Sequence, residues 1–235
     1  MLVEPTIVTP ITARKAVIAA ALYGIVGLAV GVLTQRLVTA GKLTDLGNTA
    51  QLAVGMFALW TVLIALIARV SGHVWQGGLN TMVFFAAAVL AHYLYAWQRD
   101  ETAGSDWRAW GLIVVTVVPV AGVAIAWASL PSHPGWGWGA LSGPVLAVPI
   151  GTILGEALVL HASRHVDADS LLVVDVCFAV LLAWLLPRTW PARVLAVVVA
   201  IPIAFVVRDF WDSSFIDAFN QVRDWVGLDG PDLPA

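Results

Sequence analysis

The chain has 235 residues, of which 60% are hydrophobic and 11% charged, with a mean hydropathy of +0.88. Soluble domains carry about a quarter charged residues, so twelve Lys and Arg with fifteen Asp and Glu are too few to clothe a water-facing surface, and the surface must face lipid. A net charge of -3 with no basic run excludes nucleic acid as a partner, and the single Cys177 excludes an internal disulfide framework or a CxxC redox pair.

Residues 1–14 are polar, and the apolar run that follows is long enough to span with no small-residue cleavage pattern close behind it, so it reads as a retained helix and not as a signal peptide. A hydrocarbon core of about 30 Å takes about 20 helical residues. Seven stretches come near that length: Ala16 to Thr34, Leu52 to Val70, Leu79 to Trp97, Gly111 to Ser129, Gly139 to Ala162, Ser170 to Pro187 and Ala192 to Val207. The last is short but can be extended by Trp190 at one end and Phe210 at the other, so it is kept, with six spans and a buried seventh segment as the rival count. Lipid-facing strands would alternate in polarity with period two, which these runs do not. The expected fold is therefore all-α, a polytopic transmembrane helix bundle of about seven spans over residues 1–208. In residues 209–235, Trp211, Phe215, Phe219, Val222 and Val226 form one apolar stripe, which predicts an amphipathic interfacial helix followed by a polar tail.

Trp97, Trp107, Trp110, Trp127, Trp136, Trp138, Trp190 and Trp211 fall near predicted span ends, where indole rings favour the headgroup layer, whereas Trp60 sits mid-span and reads as packing. With seven spans, Arg14, Lys15, Arg69, Arg188 and Arg193 lie on the face of the N-terminus, the N-side. Arg36, Lys42, Arg99, Arg108, Arg164, Arg208 and Arg223 lie on the opposite C-side. That excess leans towards a cytoplasmic C-terminus under the positive-inside rule. An echo between Ala21-Leu22-Tyr23-Gly24 and Ala140-Leu141-Ser142-Gly143 would suit two parallel three-helix repeats around a linking span.

An ionisable group inside a span costs on the order of 3 kcal/mol, which makes Glu156 and Asp175 functional candidates. They sit at similar offsets from the connection between the fifth and sixth spans, about 8 Å below the C-side surface at 1.5 Å per residue, where they can face one polar cavity. His92, Tyr95, Asn48 and Arg208 reach the same layer from other spans and complete the candidate ligand-binding set. The plainer alternative is that these groups snorkel or satisfy helix ends. Gly143-Pro144, Pro149 and the Gly151/Gly155 pair predict a fifth helix kinked or partly unwound just before Glu156, unless the glycines make an ordinary helix contact, as Gly27 and Gly31 of the first span can.

No lysine lies in a span, so a retinal Schiff base is excluded. No HExxH motif and no phosphate-cradling loop is present, only His92 with His161 could ligate haem, and no cofactor or metal is expected. Leu46-Gly47-Asn48 before Trp60, His92-Tyr93, Pro119-Val120-Ala121-Gly122 and Gly155-Glu156-Ala157-Leu158 resemble an uncharacterised family of small multi-pass membrane proteins, mainly from actinobacteria. The resemblance covers most of residues 16 to 207 and departs from the family at His92, where a tyrosine is expected, and in a longer polar tail. It implies a multi-pass protein of a bacterial plasma membrane and implies no activity. The sequence thus points first to small-solute or ion transport, or substrate binding, through Glu156 and Asp175, in the bilayer and with a membrane partner subunit or a second copy as candidate partners. The small-residue face of the first span, Ala16 to Gly31, offers a docking surface. The alternatives are an acid-catalysed enzyme acting on a lipid or isoprenoid, and a non-catalytic assembly subunit.

Overall fold

The computed structural model describes residues 13–41, 57–99, 107–130, 136–162 and 168–213. Among them the regular elements are all helices: α1 (Ala13–Gly41), α2 (Phe57–Val70), α3 (Val74–Trp97), α4 (Trp107–Val115), α5 (Val117–Ala128), α6 (Trp136–Ala162), α7 (Ala168–Leu185) and α8 (Trp190–Ser213). α4 and α5 form one rod interrupted at Thr116, so the described chain makes seven rods. Pro119 explains the interruption. Its nitrogen cannot donate to the Val115 carbonyl and its ring crowds that oxygen, so α4 stops at Val115 and helix resumes at Val117.

Five stretches are long and apolar enough to cross a membrane: Ala13–Leu37, Val74–Trp97, Trp110–Ala128, Leu141–Val159 and Trp190–Asp209, while Ala58–Val70 and Leu171–Leu185 are shorter apolar helices. Trp75, Trp97, Trp184 and Trp190 stand exposed at rod ends, as interfacial indoles should. The last rod exceeds its expected sixteen-residue length: Thr189 Oγ1 accepts the N–H of Ala192, and Pro191 occupies the first turn, where no hydrogen bond is lost. α8 also runs through Pro202 and on past Arg208 to Ser213. The remainder of the expected amphipathic stripe lies outside the described residues.

Two close helix pairs organise the bundle. Gly27 and Gly31 of α1 lie against the main-chain carbonyls of Phe84 and Ala88 on α3, and a Cβ at either glycine would collide with those oxygens. Gly151 and Gly155 of α6 lie against the side chains of Ile203 and Val207 and the carbonyls of Ala200 and Ala204 on α8. Residue numbers rise together along both contacts, so the first span runs parallel to the third and the fifth to the seventh. This pairing fits the three-helix repeats suggested by the sequence echo. It also corrects the expected docking surface, because Gly24, Gly27 and Gly31 meet α3 of the same chain instead of a partner.

α2 joins the two pairs, packing against α3, α5, α6 and α7. Its alanines and valine, Ala58, Val62, Ala65 and Ala68, enter one buried cluster with Leu146, Ile150 and Ile153 of α6 and Leu182 of α7. Trp60 meets Phe85 edge-on at 5.4 Å between ring centroids, the packing role expected for it. At the far end of α2, Arg69 donates to the Leu186 carbonyl at 3.2 Å and Arg193 to the Pro187 carbonyl at 3.2 Å, so two guanidinium groups satisfy the C-terminal end of α7. Arg69→Met keeps the aliphatic stem and loses the donor. Its expected effect is about 1 kcal/mol of stability, read as a lower thermal midpoint in detergent.

Candidate functional site

Glu156 lies six residues before the end of α6 and Asp175 seven after the start of α7, about 9–10 Å along each helix from their connection. α6 packs against α7, and both touch α2. Glu156 is 6% exposed and Asp175 0% exposed, so neither carboxyl points at lipid. Each lies within electrostatic range of the other.

Their environments differ. Glu156 Oε2 accepts the main-chain N–H of Ala58 at 2.7 Å. Ala58 is the second residue of α2, and the first N–H groups of a helix have no acceptor within it. No water is at hand in the hydrocarbon layer to supply one, and the positive end of the helix dipole favours an anion there. Glu156 is therefore a carboxylate cap delivered to α2 by another helix, a charge-assisted bond of the stronger kind. Asp175 is fully buried, and neither of its carboxylate oxygens has a hydrogen-bond partner among the described residues.

An ionised carboxylate in an apolar interior is costly unless paired. A helix end compensates Glu156, and nothing equivalent faces Asp175 among the described residues. With both carboxyls ionised the pair would carry one negative charge more than its described surroundings neutralise, and one proton or one monovalent cation would restore the balance. No group of three or more His, Cys, Asp and Glu that could hold a metal ion occurs among the described residues.

The rest of the expected set divides differently. His92 Nδ1 lies 3.4 Å from Thr34 Oγ1, and the ring packs edge-on to Tyr93. The Tyr95 hydroxyl accepts Arg36 Nε at 3.2 Å, while Arg36 and Arg99 sit over its ring at 5.8 and 4.9 Å. These contacts fasten the ends of α1 and α3 to each other. Arg208 is exposed on α8, and Asn48 lies outside the described residues. One expectation about the setting changes as well. α6 is helical without a break from Trp136 to Ala162, through both Pro144 and Pro149, so it is not unwound before Glu156. A separate cavity of about 460 Å³ has Thr152, four residues before Glu156, in its wall; that wall is apolar apart from Thr61 and Thr152 and includes neither carboxyl.

Compared with protein-family models, with curated proteins and with solved structures, the chain finds no match.

Proposed function

We propose that this protein is a membrane-embedded binding or transport bundle in which Glu156 and Asp175 together take up one proton or one monovalent cation, including the basic group of a small solute. The observation that carries the reading is Asp175, buried in the bundle with both oxygens unpartnered beside a second carboxylate. The plainer alternative, that intramembrane acids only satisfy helix ends, accounts for Glu156 through Ala58 and leaves Asp175 without a structural task. The parallel pairing of first with third and fifth with seventh span agrees with a repeat architecture used by transporters. On the family resemblance and the arginine distribution we place the protein in a bacterial plasma membrane with a cytoplasmic C-terminus.

Infrared spectra of the protein in liposomes, followed from about pH 4 to about pH 9, test this. The expected result is a carboxyl C=O band that titrates, disappears in Asp175→Asn and shifts in Glu156→Gln, with the same two substitutions weakening sodium or potassium binding wherever such binding occurs. A spectrum identical in wild type and both variants removes the reading.

A further inference from the structure

We infer that the N-side ends of α2, α7 and α8 form a binding site for the headgroup of an anionic phospholipid, with Arg69, Arg188 and Arg193 holding its phosphate. The site lies at the opposite end of α7 from the acidic pair and stands apart from the function proposed for that pair.

Three elements bring the guanidinium groups to one place. α2 and α7 both end on the N-side, and α8 begins there. Arg69 donates to the carbonyl of Leu186 and Arg193 to that of Pro187. Arg188 follows directly in the chain, and consecutive Cα atoms are about 3.8 Å apart, so all three side chains are anchored around residues 186–188. Both Arg188 and Arg193 lie within electrostatic range of Arg69. Arg193 also sits over the Trp184 ring at 4.5 Å, which ties α8 to α7. A guanidinium carries five N–H donors, so a bond to one carbonyl leaves most of them for a ligand.

The described protein does not answer this charge. The C-terminal ends of α2 and α7 carry about half a negative charge each, which offsets one arginine of the three, and the start of α8 adds positive charge of its own. The carboxylates among the described residues are Glu156, Asp169, Asp175, Asp209 and Asp212, all in the C-side half of the bundle. On α7 the nearer of its two, Asp175, stands about 15 Å along the helix from Leu185 at 1.5 Å per residue. In sequence, the N-side connections 71–73, 129–135 and 186–189 contain neither Asp nor Glu.

The headgroup layer supplies an anion of the right kind. Trp184 and Trp190 are exposed beside the arginines, which sets the cluster at the depth where indole rings and lipid phosphates meet. Guanidinium groups pair with phosphate through two parallel N–H bonds, and basic clusters between membrane helices recognise acidic headgroups in this way. Below the arginines, Val180 and Leu181 of α7 and Val194 and Val197 of α8 are exposed to lipid, so the acyl chains of the same molecule continue along an apolar surface. Free phosphate would gain the first contact and lack the second. A zwitterionic phospholipid brings no net charge and would leave the arginine excess standing.

Native mass spectrometry of the purified protein in detergent, titrated with phosphatidylglycerol or with phosphatidylcholine of the same chains, tests the inference. One arginine beside an acidic headgroup contributes about fivefold in affinity. The expected result is one phosphatidylglycerol retained at least about fivefold more tightly than phosphatidylcholine. Arg188 is exposed and makes neither carbonyl bond, so Arg188→Gln should weaken retention about fivefold while leaving the thermal midpoint without lipid as in the wild type. Arg188→Lys should recover most of the loss. Arg99→Gln, which removes an exposed arginine at the C-side end of α3, should leave retention unchanged, and inorganic phosphate in large excess should not displace the lipid. Equal retention of phosphatidylcholine, displacement by inorganic phosphate, full retention in Arg188→Gln, or an equal loss in Arg99→Gln would each overturn the inference.

Discussion

Asparagine at position 175 is expected to stabilise the folded protein while disabling its binding site. Asp175 is fully buried, makes no hydrogen bond among the described residues and sits in the field of the Glu156 carboxylate. Asparagine keeps the shape and removes the charge, so the substitution relieves both the cost of burying an ion and the repulsion between two anions. It leaves a polar amide that still lacks partners, which limits the gain to about 1–2 kcal/mol. For a chain of this size that corresponds to a rise of about 2–8 °C in the thermal midpoint, measurable by tryptophan fluorescence in detergent. The gain should shrink in acid, where a protonated carboxyl and an amide carry the same charge. Glu156→Gln should move the other way, because it weakens a charge-assisted bond at the start of α2. Opposite signs at two neighbouring acids would separate the structural carboxylate from the one held for a ligand. A lower midpoint in Asp175→Asn would show that Asp175 is tied into the fold, and the binding proposal would lose its main support.

How far the sequence reveals this arrangement depends on the kind of signal each part leaves. Long apolar runs and interfacial tryptophans are properties of single segments, and each of the seven rods begins or ends within a few residues of the expected place. The last rod takes in the Trp190 and Phe210 extensions that the sequence offered, and Thr189 with Pro191 supplies its start signal. The similar offsets of Glu156 and Asp175 along their two helices are likewise legible, since they need only a residue count. What each carboxyl touches is not. The partner of Glu156 is a main-chain N–H, which every residue except proline carries, so no residue type advertises it. His92 and Tyr95, expected in the layer of the acids, face α1. Depth fixes a layer, whereas the direction a side chain points around its helix depends on which helices become neighbours. The continuity of α6 through two prolines has a related cause: neighbouring helices can hold a proline-containing rod in place, as α8 does along Gly151 and Gly155.

The glycine contacts supply the largest expected loss of stability, and they also test the neighbour assignments on which the site depends. In lipid, helices gain little from excluding water, so close van der Waals packing carries much of their association. At Gly27 and Gly31 the object that a new Cβ would meet is the α3 backbone, at the carbonyls of Phe84 and Ala88, which cannot rotate aside as a side chain could. Even Gly27→Ala and Gly31→Ala should therefore push α1 away from α3, at a cost of about 1–3 kcal/mol each, and Gly31→Leu should release α1 altogether. Gly111 in α4 provides the contrast. A Cβ there meets nothing within 4 Å, so Gly111→Ala should raise stability by about 0.5–1 kcal/mol through the ordinary helix preference for alanine. The four variants can be ranked by thermal midpoint, and a cysteine pair placed at Gly24 and Val83, which face each other across the contact, would report separation of α1 from α3 through lost crosslinking. If Gly27→Ala and Gly31→Ala behaved like Gly111→Ala, the parallel pairing of α1 with α3 would be wrong. The separation of His92 and Tyr95 from the acidic pair would then have to be reconsidered as well, because their contacts with Thr34 and Arg36 exist only where those two helices touch.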